Sequence, residues 1–362
     1  MELIDLIRTM CLTPALSGHE ELMIKYLTTT LEPISNQVRV DTAGNVIARI
    51  DGMDPRAPKV MVFAHQDQLG LVVRKVTAEG FILVERLGGV PEKVLPGLRV
   101  NIQTEEGTIV PGVIGIKAHH ATPAEEKYRV TPYQELYIDI GVSSASEVYA
   151  LGIQIGCPVV YEPAFQILQG GRIAATSLDD RAGCAVLVKL AEQFFAQPPA
   201  ATVYIVGTVQ EEFNLRGAQL AAAAIQPDLA IALDVMVAGD TPDLKDRLEL
   251  KLGGGPAIGM YSFHGRGTLN GTIPHPQLVE LAKAAATREG LSLQRNAMVG
   301  LLTDSAYVQL VVHGIPVVDL GFPARYTHTP VEVCQLSDIE GLLKLVAALV
   351  ADLKPGLSFS RL

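Results

Sequence analysis

The chain begins with α/β texture, turns all-β over residues 69–162, and then turns α/β again. Near the start, Leu3, Ile4, Ile7 and Met10 recur at helical spacing, and a second helical run covers 19–31. Alternating runs at Gln37–Val40 and Val46–Ile50 flank the turn residues Asp41 to Asn45. Lys59–His65 (KVMVFAH) is a continuous apolar run of the kind expected for a strand buried on both faces. Between 69 and 162 come short β-type runs (LGLVVRKV, GFILVERL, GLRVNIQT, GTIVPGVIGI, ELYIDIG, GCPVVYE) parted by Gly-rich turns, with one helix near 144–151. Beyond that span the pattern predicts a helix over 181–195, a strand at Thr202–Thr208, a helix over 215–225 and a strand over 229–233. Helices over 275–289 and 303–313, a strand over 316–320 and a last helix after Asp338 complete it.

Strands alternating with helices predict a mixed, mostly parallel sheet sandwiched by helices, because parallel strands need crossovers that cover both faces. The all-β stretch then reads as a barrel-like domain inserted into one loop of that sheet domain. The expected division is 1–68 with 163–362 as one discontinuous domain and 69–162 as the insert. A length of 362 residues exceeds what a single core usually spans, which suits two cores.

Acidic residues outnumber basic ones, 39 to 29, and no basic stripe interrupts them, so neither nucleic acid nor an anionic membrane is an expected partner. The first twenty residues mix acids with apolar residues and lack the layout of a signal peptide, and no apolar stretch is long enough to span a bilayer. Cys11, Cys157, Cys184 and Cys334 lie far apart without Cys-x-x-Cys spacing, as expected of buried thiols in a cytoplasmic protein.

In open α/β sheets, ligands bind beyond the carboxyl ends of the strands. His65 ends KVMVFA, Glu211 and Glu212 follow TVYIVGTVQ, Asp234 ends LAIAL, His328 follows PVVDL after a loop, and Asp179-Asp180 precedes a helix. Each signal alone is weak: eight histidines among 39 acids give about one His-x-acid match by chance, and His19-Glu-Glu21 matches as well as His65-Gln-Asp67. Position separates them. Of the adjacent Glu pairs, only 211–212 follows a long apolar strand. The residue types suit a pair of dications, which needs a bridging carboxylate and terminal His and carboxylate ligands that leave positions open for water and substrate. A further carboxylate is then required as general base.

The segments AHQDQLG (64–70), SLDDRAGC (177–184), VQEEFNLRGA (209–218), ALDV (232–235) and PARYTHTPVE (323–332) together resemble the M42 family of metallopeptidases, the glutamyl and leucyl aminopeptidases of tetrahedral, dodecameric type. TPALSGHE near the start, GVIGIKAHH, LYIDIG and Asp304 in GLLTDSAYVQ extend the likeness nearly end to end. The resemblance implies Asp179 as bridging ligand, His65 and Asp234 completing one metal position, Glu212 and His328 the other, and Glu211 as general base. It implies Asp67 behind His65, a cis peptide between Asp179 and Asp180, two divalent ions per subunit (zinc or cobalt, with manganese acceptable), short peptides as substrates, and a homododecamer built from dimers through the β insert. Three segments depart from the family pattern, GLLTDS, PARYTHT and KAHH at 117–120, and none removes a ligand. His119 and His120 could belong to a loop near a substrate pocket; Arg325 could bind a substrate carboxylate or form a structural ion pair.

Other functions fit less well. An endoglucanase needs aromatic platforms and flanking carboxylates, whereas Trp is absent and aromatics are 5%. A non-catalytic shell would have no reason to keep all six residues. A metal-dependent deacylase of N-acyl amino acids or peptides would use the same centre and stays open as the alternative.

Overall fold

The computed structural model describes residues 1–265 and 269–361. A large mixed sheet forms its framework, and its four central strands run parallel: Thr202–Thr208, Lys59–His65, Leu229–Val237 and Val317–Arg325. Antiparallel strands flank them, Val46–Ile50 and Gln37–Val40 on one side, Glu332–Gln335, Arg172–Ala175 and Phe165–Ile167 on the other. Ala257–His264 pairs with the Val317–Arg325 strand and carries Asn270–Thr272 and Gln294–Val299 beside it.

Alternation along each strand sends side chains to two cores. Val60, Val62 and Ala64 point into one, against the helices Leu3–Cys11, Glu21–Leu31, Leu178–Ala196, Pro276–Arg288 and Leu336–Ala351. Met61 and Phe63 point into the other, against Gly217–Ile225 and Ser305–Val308. Each fully buried aliphatic side chain contributes about 1.5–3 kcal/mol, so this double covering is what holds the strand ends still. The Leu178–Ala196 helix is apolar on nearly every side and lies buried at the centre of the larger core.

Six strands, Gly70–Val76, Ile82–Leu87, Arg99–Gln103, Ile109–Ile114, Ile138–Asp139 and Pro158–Tyr161, close into an antiparallel barrel around their own core of Leu71, Val84, Val100, Ile102, Ile138 and Val159. Closure leaves the barrel no free edge. The helix expected near 144–151 is Ala145–Ala150, capped by the Ser144 hydroxyl, which accepts from the Glu147 amide.

Three expectations need correction. The helix expected over 303–313 is a single turn, Ser305–Val308, because the chain turns out of helical geometry by Val312 (φ 57°) and Gly314 (φ 93°). The strand expected over 229–233 continues to Val237, so Asp234 lies within it. Likewise the strand expected over 316–320 continues to Arg325. The two pair in parallel along eight register positions, Asp234 opposite Gly321, and that ladder carries both past the end of their apolar runs. A Cβ at position 321 would stand 2.0 Å from the Asp234 carbonyl oxygen, so glycine permits the close approach.

All four cysteines are free and buried. No helix among the described residues is long and apolar enough to cross a membrane.

Candidate metal centre

The carboxyl ends of the parallel strands bring the separated candidates together. His65 is the last residue of its strand and is 3% exposed. Its Nδ1 lies 3.2 Å from the Asp67 backbone oxygen. A carbonyl only accepts, so Nδ1 carries a proton toward it, and Nε2 faces Oδ1 of Asp179 at 3.0 Å. Oδ2 of Asp179 lies 3.7 Å from Nε2 of His328, which in turn is 3.9 Å from Oε2 of Glu212. Two sets of donors result, His65 with Asp179 and Asp234, and Asp179 with Glu212 and His328, each within 4.8 Å of one another. Asp179 belongs to both.

Backbone geometry sets these positions. Ser177 is left-handed (φ 59°), the Asp179-Asp180 peptide is cis, and regular helix begins only at Arg181. Asp180 turns inward, where its Oδ1 accepts from the Gly183 amide. A side chain at 183 would meet that carboxylate at 2.3 Å, hence the glycine. Glu211 and Glu212 sit on a loop with Gln210, Asn214 and Leu215 at positive φ, closed by a hydrogen bond from the Gly217 amide to the Val209 carbonyl.

Asp67 does more than stand behind His65. Its carboxylate accepts from the amides of Glu211 (3.0 Å) and Glu212 (3.1 Å) and from the Ser17 hydroxyl, so it fixes the loop that carries both glutamates. Its Oδ1 is 3.5 Å from Nδ1 of His65, farther than its own carbonyl. Burial opposes its ionisation, yet His65 and the Ser17 hydrogen bond hold its pKa below the ordinary value.

Glu211, Glu212 and Asp234 are pushed the opposite way. Burial, then the neighbouring carboxylates, raises Glu211 and Asp234 well above the ordinary range and Glu212 to about 7. Burial alone would lower both imidazoles, but Glu211 and Asp179 carry His65 well up, and Glu212 with Asp179 carries His328 to about 9. A buried cluster with more carboxylates than cations is unfavourable by itself, and divalent ions between the two donor sets would relieve it. Mixed imidazole and carboxylate donors suit zinc, cobalt or manganese.

Sequence reasoning assigned no role to Glu332, although it closes the motif PARYTHTPVE. This buried carboxylate accepts the Asp179 amide at one oxygen (2.9 Å) and the His328 amide at the other (2.7 Å). Burial, and then Asp179, pushes its pKa up to about 8. In metal-loaded protein, Glu332→Gln should lower unfolding free energy by about 1–3 kcal/mol, since an amide NH₂ would face one of those N–H donors. Denaturant midpoints measure this, and an unchanged midpoint would mean that neither amide depends on Glu332.

Asp304 is also buried: its Oδ2 accepts from the Thr208 hydroxyl at 2.9 Å, while Oδ1 has no partner among the described residues. Arg325 forms a two-pronged ion pair with Asp240, Nε to Oδ1 at 2.8 Å and Nη2 to Oδ2 at 2.7 Å, the structural alternative of the two expected. His119 and His120 are exposed, stack edge-on against each other, and join neither donor set.

The M42 glutamyl aminopeptidase family matches residues 44–345. The chain belongs to the M42 peptidase family. It is 32% identical to the lysyl aminopeptidase of Pyrococcus furiosus over 97% of each chain. An aminopeptidase from the archaeon Desulfurococcus kamchatkensis superposes with a TM-score of 0.91 at 32% identity, covering 98% of this chain and 95% of that one. The TET1 peptidase of Pyrococcus horikoshii, described as able to assemble into a tetrahedron or a large octahedral shell, superposes with a TM-score of 0.85 at 28% identity, covering 97% and 100%. This M42 protein is therefore an enzyme of the aminopeptidase class, with two candidate metal-binding groups that share one aspartate.

Proposed function

We propose that this M42 protein is a two-metal aminopeptidase that removes the first residue of short peptides. The observation that carries the reading is Asp179, which presents one oxygen toward His65 and the other toward His328. In this reading Asp179 bridges, His65 and Asp234 complete one position, and Glu212 and His328 complete the other. Bound there, zinc, cobalt or manganese would polarise the scissile carbonyl and acidify a water.

The protein's own groups do the rest. Glu211 is 11% exposed with its Oε2 4.0 Å from Nε2 of His65, which sets it beside the shared space without a place in either donor set. Its burial raises its proton affinity above that of an ordinary carboxylate, the direction a general base needs. It accepts the water's proton at Oε and returns it to the leaving amine. Asp67 keeps Glu211 and Glu212 in register through their amides, and the proton held on Nδ1 of His65 leaves Nε2 as a donor.

Residues 1–68 and 163–362 are the catalytic domain in this reading, and 69–162 form the dimerisation insert of a homododecamer. The superposition on a shell-forming peptidase supports that assembly. Four free buried thiols suit a cytoplasmic enzyme.

The test is substrate polarity at the amino end. After loading with Co²⁺ or Zn²⁺, the protein should release chromophore from unblocked aminoacyl anilides at least a hundredfold faster than from their N-acetylated counterparts. Preference for the acetylated series would replace this reading with a deacylase. A panel of aminoacyl groups in the same assay identifies the favoured N-terminal residue.

A further inference from the structure

The Glu212–His328 position is walled by a barrel turn, Gly88-Gly89, whose Gly89 lies 239 positions from His328 in sequence. Nδ1 of His328 lies 3.1 Å from the Gly89 carbonyl oxygen. The carbonyl accepts, so Nδ1 holds a proton toward it, and Nε2 faces Asp179 and Glu212. A Cβ at position 89 would stand 2.6 Å from that Nδ1 and 2.8 Å from Cε1. A Cβ at 88 would stand 3.3 Å from Oε2 of Glu212, and Gly88 has φ 83°. A second barrel contact is made by Tyr161, whose hydroxyl donates to the His328 carbonyl at 3.3 Å. His328 itself has φ 68° and Tyr326 φ 60°, so its loop is held in the left-handed region by outside contacts. The His65–Asp234 position is set by the sheet: both residues lie on central strands, and Nδ1 of His65 pairs with the Asp67 backbone oxygen.

We infer that Gly89 is a positioning residue for the second metal position, fixing the tautomer and place of His328, so that this half of the centre needs the barrel as well as the sheet, while the other half is set by the sheet. The inference rests on the two-metal reading above. A side chain at 89 pushes the imidazole away from its backbone acceptor, so it disables one ion position and spares the other. Gly89 has no positive φ, so alanine is tolerated there by the backbone and meets only the imidazole.

The test is stepwise Co²⁺ binding to the full-length metal-free protein, followed by calorimetry and by the visible absorption of the bound cobalt, with bound metal counted by mass spectrometry. Wild type should take up two ions. Gly89→Ala should take up the first with affinity within threefold of wild type and the second at least tenfold more weakly, with loss of the second set of absorption bands. Tyr161→Phe, which removes one hydroxyl without changing the fold's volume, should weaken only the second step, by about threefold, and decides the matter if Gly89→Ala does not fold. Two ions bound by either folded variant with both affinities unchanged would overturn the inference while leaving the two-metal reading intact. A wild type that binds fewer than two ions overturns both. Wild type with two ions and no action on unblocked anilides overturns the peptidase reading alone.

Discussion

Glu211→Gln is expected to lower kcat on unblocked aminoacyl anilides by about 10²–10⁴-fold, the usual contribution of a general base, while both ions stay bound. Glutamine matches glutamate in size and cannot accept the proton. Because Glu211 lies outside both donor sets, its substitution removes no metal ligand. The Glu211 amide still donates to Asp67, so the loop keeps its place. Steady-state kinetics with metal counted on the same sample decides the point. Activity within tenfold of wild type would remove Glu211 from the reaction, and loss of an ion with the activity would make it a ligand instead.

Removing the metal should leave a protein whose stability falls steeply with pH. Burial is the first cause in each carboxylate concerned: it raises Glu212 and Asp304 to about 7, Glu332 to about 8 and Glu20 to about 7. These folded-state values lie above the ordinary carboxyl range of the unfolded chain, so between about pH 4.5 and 8 the folded protein holds more protons. Stability is then full below the unfolded pKa and is lost as pH rises through the folded ones. His328, raised to about 9 by Glu212 and Asp179 against the effect of burial, acts in the same direction. Between pH 5.5 and 8.5 the metal-free protein should lose roughly 10 °C in Tm, as expected for several kcal/mol, and saturating Co²⁺ or Zn²⁺ should recover most of it at the upper end. Scanning calorimetry with and without a chelator measures both arms. A Tm that is flat or rises over that window in the metal-free protein would contradict the protonated cluster.

Much of the architecture is legible in one dimension because burial imposes a period. Lys59–His65 and Thr202–Thr208 have the bounds their apolar runs suggest, and the change of texture at 69–162 coincides with a closed barrel. Of the flanking strands, Gln37–Val40 and Val46–Ile50 are legible as alternating runs, and the others are not. Arg172–Ala175 and Ala257–His264 are short or irregular in pattern, and what makes them strands is the neighbour each pairs with. The same reason extended the Leu229–Val237 and Val317–Arg325 strands beyond their apolar cores: their shared ladder, rather than their composition, sets where they stop.

The candidate residues divide in the same manner. Sequence alone determined which side chains stand where apolar strands run out, since a parallel sheet delivers its strand ends to one edge, and it determined that their types suit metal ions. Only the tertiary structure decided that Asp179 faces both histidines, that Asp67 holds the Glu211-Glu212 loop, and that Glu332 bridges two amides 149 residues apart. The contact between His328 and Gly89 spans 239 positions. A glycine chosen for the space it leaves has no signature of its own in the chain, because the group that needs the space arrives only when barrel and sheet have packed together.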